Sequence, residues 1–216
     1  MVMLKFKKTN RNSLLLIFFV FQVVGLIGIL WISRQQFSSL TPLNLLLTFI
    51  LLIATQENFS GREILFLIFV SVFGFFIEYF GVHYKILFGH YFYGDSLGVK
   101  FFGVPLIMAI NWVLVIYLAC TIADTFPIKP LWKVILGAML PVSLDILMEP
   151  IAPILDYWSW QNDRAPLKNF IAWYLISLFF IFFYFFFKLK LKNKNSLIIF
   201  FTYMYFFILL NILLER

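Results

Sequence analysis

Residues 78–112 read EYFGVHYKILFGHYFYGDSLGVKFFGVPLIMAINW. The stretch opens on a carboxylate near the end of an apolar helix and passes through a loop rich in Gly and Tyr. It then re-enters an apolar helix through Gly103-Val104-Pro105. Glu78, His83, Lys85, His90, Asp95, Asn111 and four tyrosines fall within it, whereas the chain elsewhere is mostly Phe, Leu and Ile. Apolar helices joined by a polar, aromatic loop are the unit from which the rest of the chain is read.

The whole sequence is 63% hydrophobic and 12% charged, with a mean hydropathy of +0.97. A soluble domain of that composition would expose far too much apolar surface to water. With about 20 residues per membrane-spanning helix, 216 residues hold about seven spans, or six, and no soluble module. The expected fold class is therefore all-α: a polytopic transmembrane helical bundle, residues 1–216 forming one integral-membrane domain. The net charge of +7 does not point to nucleic acid. Lys5, Lys7, Lys8 and Arg11 precede the first apolar run, and Lys188, Lys190, Lys192 and Lys194 separate the last two, which is the ordinary topology signal of membrane proteins. The single Cys120 lies inside an apolar run and reads as a buried structural thiol.

In order, the basic N-terminus and the run Leu14–Ile32 resemble a signal peptide. The run is long for one and lacks a small-residue cleavage site, so it reads as a retained first helix. Leu43–Thr55, with Pro42 placed for a helix start, is short and reads as a tilted, partly interfacial or incomplete span. Glu63–Phe80, Val104–Ala123, Leu131–Met148, Asn169–Phe187 and Ser196–Leu214 follow. With the N-terminus inside, the cytoplasmic side collects Lys5, Lys7, Lys8, Arg11, Arg62, Lys129, Lys133 and the four lysines of the last loop. The other side collects Arg34, Lys85, Lys100, Arg164, Lys168 and Arg216. The excess of positive charge favours N-in and C-out, with loops 81–103 and 149–168 outside. No internal repeat is visible.

Ionisable groups inside spans cost about 2.5–3.5 kcal/mol each and are functional candidates by default. Glu78 lies near the end of the third helix. Asp145 lies within the fifth, and Glu149 is on the same helical face, four residues on. Pro141 sets a kink against Gly137, and Pro150 ends the helix. The plainer alternative is that these acids are solvated at headgroup level, an alternative weakest for Asp145. His83 and His90 follow no compact metal spacing and read better as interfacial hydrogen-bonding groups. Asn169 is placed as an N-cap, and Asn111 to bond another helix. Tyr91/Tyr93 and Trp158/Trp160 fit an aromatic interface belt. Their alternation beside acidic helix ends also fits the rim of a lipid-filled cleft around the three carboxylates.

These residues resemble a known family. Glu78-x-x-Gly81, Phe88-Gly89-His90-Tyr91-Phe92-Tyr93, Gly103-Val104-Pro105 and Asn111-Trp112 are similar to the motifs of the integral-membrane carotenoid biosynthesis proteins. Their characterised members are hydratases of the carotenoid 1,2-hydratase and bisanhydrobacterioruberin hydratase type. Asp145-x-x-x-Glu149-Pro150, Trp158-Ser159-Trp160, Pro166-Leu167-x-Asn169-Phe170 and Trp173 continue the likeness, which covers about residues 63–180. The family usually has Asp where this chain has Glu149, which shifts that carboxylate by one methylene.

The resemblance implies addition of water across a terminal isoprenoid double bond of an acyclic or monocyclic carotenoid. Protonation at carbon leaves a tertiary carbocation, which water captures; the chemistry needs a placed acid and base and no redox cofactor or metal. Asp145, the most deeply placed of the three acids, reads as the proton donor, with Glu78 and Glu149 holding water and charge. Tyr91, Tyr93, His90, Asn111, Trp112, Trp158, Trp160 and Asn169 would surround the substrate. The partners implied are a carotenoid or other isoprenoid lipid, membrane lipid and other enzymes of the pathway. Localisation would be a prokaryotic plasma membrane. Other readings are a different reaction on an isoprenoid lipid, a small transporter using the acids as an ion path, and a scaffold for pigment enzymes.

Overall fold

The computed structural model describes residues 11–57 and 59–214. Lys5, Lys7, Lys8 and Arg216, which entered the charge count above, lie outside them. Seven helical segments in the described residues are long and apolar enough to cross a membrane. The first is α1 (Arg11–Ile27) prolonged by a π-helical turn, Gly28–Ile32. The second combines α2 (Arg34–Ser38) and α3 (Thr41–Thr55). Next come α4 (Gly61–Tyr84) and α5 (Ile107–Asp124). The fifth combines α6 (Pro130–Gly137) and α7 (Met139–Met148), and α8 (Leu167–Phe186) and α9 (Ser196–Leu214) complete the set.

Three expectations change. The second span is not short: α2 carries it back to Arg34, so that Arg34–Thr55 holds 22 residues. Ser33 starts it, its hydroxyl accepting the Gln36 amide at 3.4 Å, so the polar Arg34-Gln35-Gln36 lies in the helix rather than in a loop. The fourth helix begins at Ile107 rather than Val104. Phe102 and Gly103 take positive φ values of 48° and 76° and reverse the chain, so β2 (Lys100–Phe101) pairs antiparallel with β3 (Val104–Pro105). Asn169 is not the N-cap of α8, a position held by Pro166. The break between α6 and α7 falls at Ala138, beside Gly137, as Pro141 demands.

α5 is the axis of the bundle. In its span 78% of the residues are buried, against 33% at most in any other, so the remaining helices surround it and turn apolar faces to lipid. Gly74 lets α4 lie close to α5: a Cβ there would sit 2.6 Å from Trp112 Cβ and Cγ. Polar pairs fasten the ring, as expected where the hydrophobic effect cannot drive helix association. Thr48 bonds Tyr203 at 2.6 Å, and Gln22 Nε2 donates to Asn44 Oδ1 at 3.1 Å. Asn211 Nδ2 donates to the Leu147 carbonyl at 2.7 Å.

The two ends of the bundle are built differently. At one, the Ser60–Glu63 capping box starts α4, and Glu63 Oε1 also accepts the Lys190 amide at 3.1 Å. Asn193 Nδ2 there donates to Thr55 Oγ1 at 2.9 Å and Tyr117 OH at 3.2 Å. At the other end the two long loops meet. β1 (Tyr91–Tyr93) pairs antiparallel with β4 (Trp158–Trp160) in the register Tyr91–Trp160, Phe92–Ser159, Tyr93–Trp158. The alternating aromatics are therefore a strand pattern of period two: Tyr91, Tyr93, Trp158 and Trp160 are buried while Phe92 faces out.

Asp156 locks the loops together. Its Oδ2 accepts the Asp95 and Ser96 amides at 2.7 and 3.1 Å, and the Gly94 amide donates to the Tyr157 carbonyl at 2.9 Å. At the loop surface, Lys100 Nζ bonds Asp95 at 2.7 Å and holds that carboxyl below its ordinary pKa.

Candidate functional site: a chamber of three carboxylates

The last two turns of α4 place Glu78, and the end of α7 places Asp145 and Glu149. All three face one chamber of about 30 Å³ under the β1–β4 ribbon. Glu78 is buried and receives three hydrogen bonds. Tyr91 OH donates to Oε2 at 2.6 Å, Tyr93 OH to Oε2 at 2.7 Å, and Trp112 Nε1 to Oε1 at 2.8 Å. Every partner is a donor, so the carboxylate is built to accept. Burial and the neighbouring Glu78 push both phenols well above their usual range, which keeps them protonated as donors.

Asp145 and Glu149 share a single amide. Asn169 Nδ2 donates to Asp145 Oδ2 at 2.7 Å and to Glu149 Oε1 at 3.2 Å. The other Glu149 oxygen accepts Trp160 Nε1 at 2.6 Å and Trp158 Nε1 at 3.3 Å. Burial raises the Glu149 carboxyl to about 7 despite these indole bonds. Asp145 is buried more completely, and among the described residues only Asn169 bonds its side chain. Two carboxyls joined by one amide, with about two waters' worth of space beside them at roughly 10–15 Å³ each, form an arrangement that can give and take a proton.

Aromatic faces complete the walls. Trp112 stacks on Trp173 with centroids 4.4 Å apart and planes 17° from parallel. Tyr91 and Trp160 lie 5.3 Å apart. Such faces stabilise a cation by about 0.5–2 kcal/mol each.

Ten of the eleven side chains singled out in the sequence meet here, by lining the chamber or bonding a carboxylate that does. His90 is the exception. Its Nδ1 pairs with the Gln161 side chain, and the Gln161 amide donates to the His90 carbonyl at 2.9 Å, which extends the ribbon. His83 Nδ1 bonds the Tyr79 carbonyl at 2.9 Å. Among the described residues no group of three or more His, Cys, Asp or Glu is placed to hold a metal.

Glu78 and Asp145 are not solvated headgroup-level acids: both are buried, Glu78 among three donors and Asp145 against the Asn169 amide. Asn111 was expected to bond a neighbouring helix, yet it has no hydrogen-bond partner among the described residues and faces the chamber. Phe88, Met108 and Pro141 also line it, and their apolar side chains gave no signal of it in the sequence. A larger apolar cavity of about 140 Å³ adjoins the chamber and shares the walls Met108, Asn111, Leu144 and Trp158 with it.

The model of the carotenoid biosynthesis protein family matches residues 40–215, a wider span than the motifs between residues 63 and 180. No curated protein and no solved structure matches the chain. The matched region runs from the second span through the last helix and contains every side chain of the chamber, and the chain belongs to the carotenoid biosynthesis protein family.

Proposed function

We propose that the protein is a carotenoid hydratase, adding water across a terminal isoprenoid double bond of an acyclic or monocyclic carotenoid. The observation that carries this reading is the convergence of Glu78, Asp145 and Glu149 on a water-sized chamber that shares walls with an apolar cavity. Asp145 donates its proton to the inner, CH carbon of the terminal double bond: its O–H bond breaks, a C–H bond forms and the outer carbon, which bears the two methyls, becomes a tertiary cation. Water attacks that carbon and yields its proton to Glu149. The proton returns to Asp145 through water in the chamber that both carboxyls line, so the net change is one water added. General acid–base steps of this kind contribute roughly 10²- to 10⁴-fold each. Glu78, held by three donors, supplies fixed negative charge, and Trp158, Trp160 and Trp173, which line the chamber, surround the cation.

Carbon protonation followed by water capture draws on no redox or metal chemistry. The whole chain acts as one integral-membrane domain in a prokaryotic plasma membrane, N-terminus inside, with the ribbon end and the chamber on the outer side. This orientation is supported by the excess of Lys and Arg at the opposite end.

The test is expression in a host that accumulates acyclic or monocyclic carotenoids, with pigments analysed by liquid chromatography and mass spectrometry. A product heavier by one water, bearing a tertiary hydroxyl and lost in Asp145→Asn, is expected. Unchanged pigments from inserted, intact protein in several such hosts would overturn the reading, and full activity in Asp145→Asn would overturn the role of Asp145.

A further inference from the structure

The acid chamber is too small for its substrate. At about 30 Å³ it holds about two waters, each needing roughly 10–15 Å³, and no hydrocarbon group. The adjoining cavity, enclosed by α1, α3, α5, α7 and α9, measures about 140 Å³. A dry apolar cavity of about 150 Å³ admits benzene, so this one matches a single terminal prenyl unit and not a long chain.

Its walls say how such a unit arrives. Phe21 and Val24 of α1 and Leu40 and Leu43 around the start of α3 line the cavity and remain exposed, so its mouth opens to lipid between the first two spans. Met108 and Leu144, at the inner end, are buried and also line the chamber. The polar groups along the way are paired: Thr41 with Tyr157 at 2.6 Å and Asn44 with Gln22. A hydrocarbon entering here leaves them no unmet hydrogen bond. Asn111, at the junction, has no partner among the described residues.

We infer that this cavity seats the hydrocarbon end of the substrate. One terminal prenyl unit enters from lipid between the first two spans and stops with its last double bond at Asn111, beside Asp145 and Glu149. The identity of the reaction there rests on the hydratase reading; the seat is defined by shape and position. Its size selects which end group reaches the acids, and Gly25 sets that size on the α1 side. A Cβ at Gly25 would meet nothing nearer than Phe206 at 3.9 Å, so alanine fits while a larger side chain grows into the cavity. Leu45 of α3 lines the cavity as well.

The test uses the full chain purified in detergent and a two-unit prenyl hydrocarbon carrying a diazirine next to its terminal isopropylidene group. Photolabelled peptides are mapped by mass spectrometry. Wild-type label is expected within residues 21–29, 41–45 and 108–118. It should drop roughly tenfold, the effect of about 1.4 kcal/mol, in Gly25→Phe and in Leu45→Trp, and drop less in Gly25→Ala, whose Cβ takes only a small part of the cavity. Label spread over the outer helix faces, or undiminished in both bulky variants, overturns the seat. If a bulky variant does not fold, the wild-type map decides alone. Pigment analysis of the same variants separates the two claims. Label in the cavity with no hydrated pigment keeps the seat and removes the hydratase. Unchanged hydration in Gly25→Phe removes the seat and keeps the hydratase.

Discussion

Tyr91 and Trp160 are directly paired across the ribbon, and each sends its polar tip to a different carboxylate. Tyr91 OH reaches Glu78 at 2.6 Å, and Trp160 Nε1 reaches Glu149 at 2.6 Å. The two acids come from distant helices, yet one cross-strand pair sets the position of both. Tyr91→Phe and Trp160→Phe each remove a hydrogen bond to a charged group, worth about 1.5–3 kcal/mol. Each is expected to lower hydration roughly ten- to a hundredfold. A double-mutant cycle on product formation should show coupling of about 0.5–3 kcal/mol; strict additivity would mean that the ribbon does not link the acids.

Asn169 supplies the only amide bond to Asp145 among the described residues. Asn169→Leu leaves a buried carboxyl without its donor, at a cost of about 1–3 kcal/mol, and should lower the Tm in detergent. Adding Asp145→Asn to that variant places an amide opposite Glu149 again and should recover part of the loss. A Tm unmoved by Asn169→Leu would contradict the bridge.

Glu149 makes stability depend on pH in a defined direction. Burial raises its carboxyl from the ordinary 4.5 to about 7, so the folded state binds a proton that the unfolded state has released. The associated stabilisation is full below about 4.5 and is lost as pH rises through about 7. The Tm is therefore expected to fall from pH 5 to pH 8, and Glu149→Gln to flatten that slope. Hydration should change over the same interval, since Glu149 accepts a proton only when ionised.

Gly74 is expected to control Trp112 from the neighbouring helix. In Gly74→Ala the new Cβ would lie 2.6 Å from the Trp112 side chain, and overpacking of this kind costs about 1–3 kcal/mol. The indole must move, and its 2.8 Å bond to Glu78 should lengthen. Reduced hydration and a lower Tm are the expected readouts, with altered Trp fluorescence reporting the ring itself.

The sequence carries the helices well because lipid imposes a length and a composition on each. Ser196–Leu214 matches its span to the residue, and the Asp145–Glu149 spacing places both acids on one face. The polar start of the second span misled because Arg34-Gln35-Gln36 resembles loop composition, although Ser33 caps it. The ribbon was illegible for another reason. Strands of three residues have no pattern of their own, and Tyr91-x-Tyr93 looks like an interface belt until Trp158-x-Trp160 is found opposite it. Asn169 and Asn111 could not be told apart by local rules. One serves two acids and the other none, and only the packing of α7, α8 and α5 decides which.

The ribbon also dictates when the site can exist during biogenesis. A chain threaded into the membrane as far as α7 already carries all three acids, but β4 and Asn169 lie downstream of it. Until those residues emerge, Glu149 lacks both indoles and the shared amide, and Tyr91 has no cross-strand partner. The chamber is therefore complete only once α8 has emerged, and a ribosome stalled before α8 holds a helical bundle with no site in it.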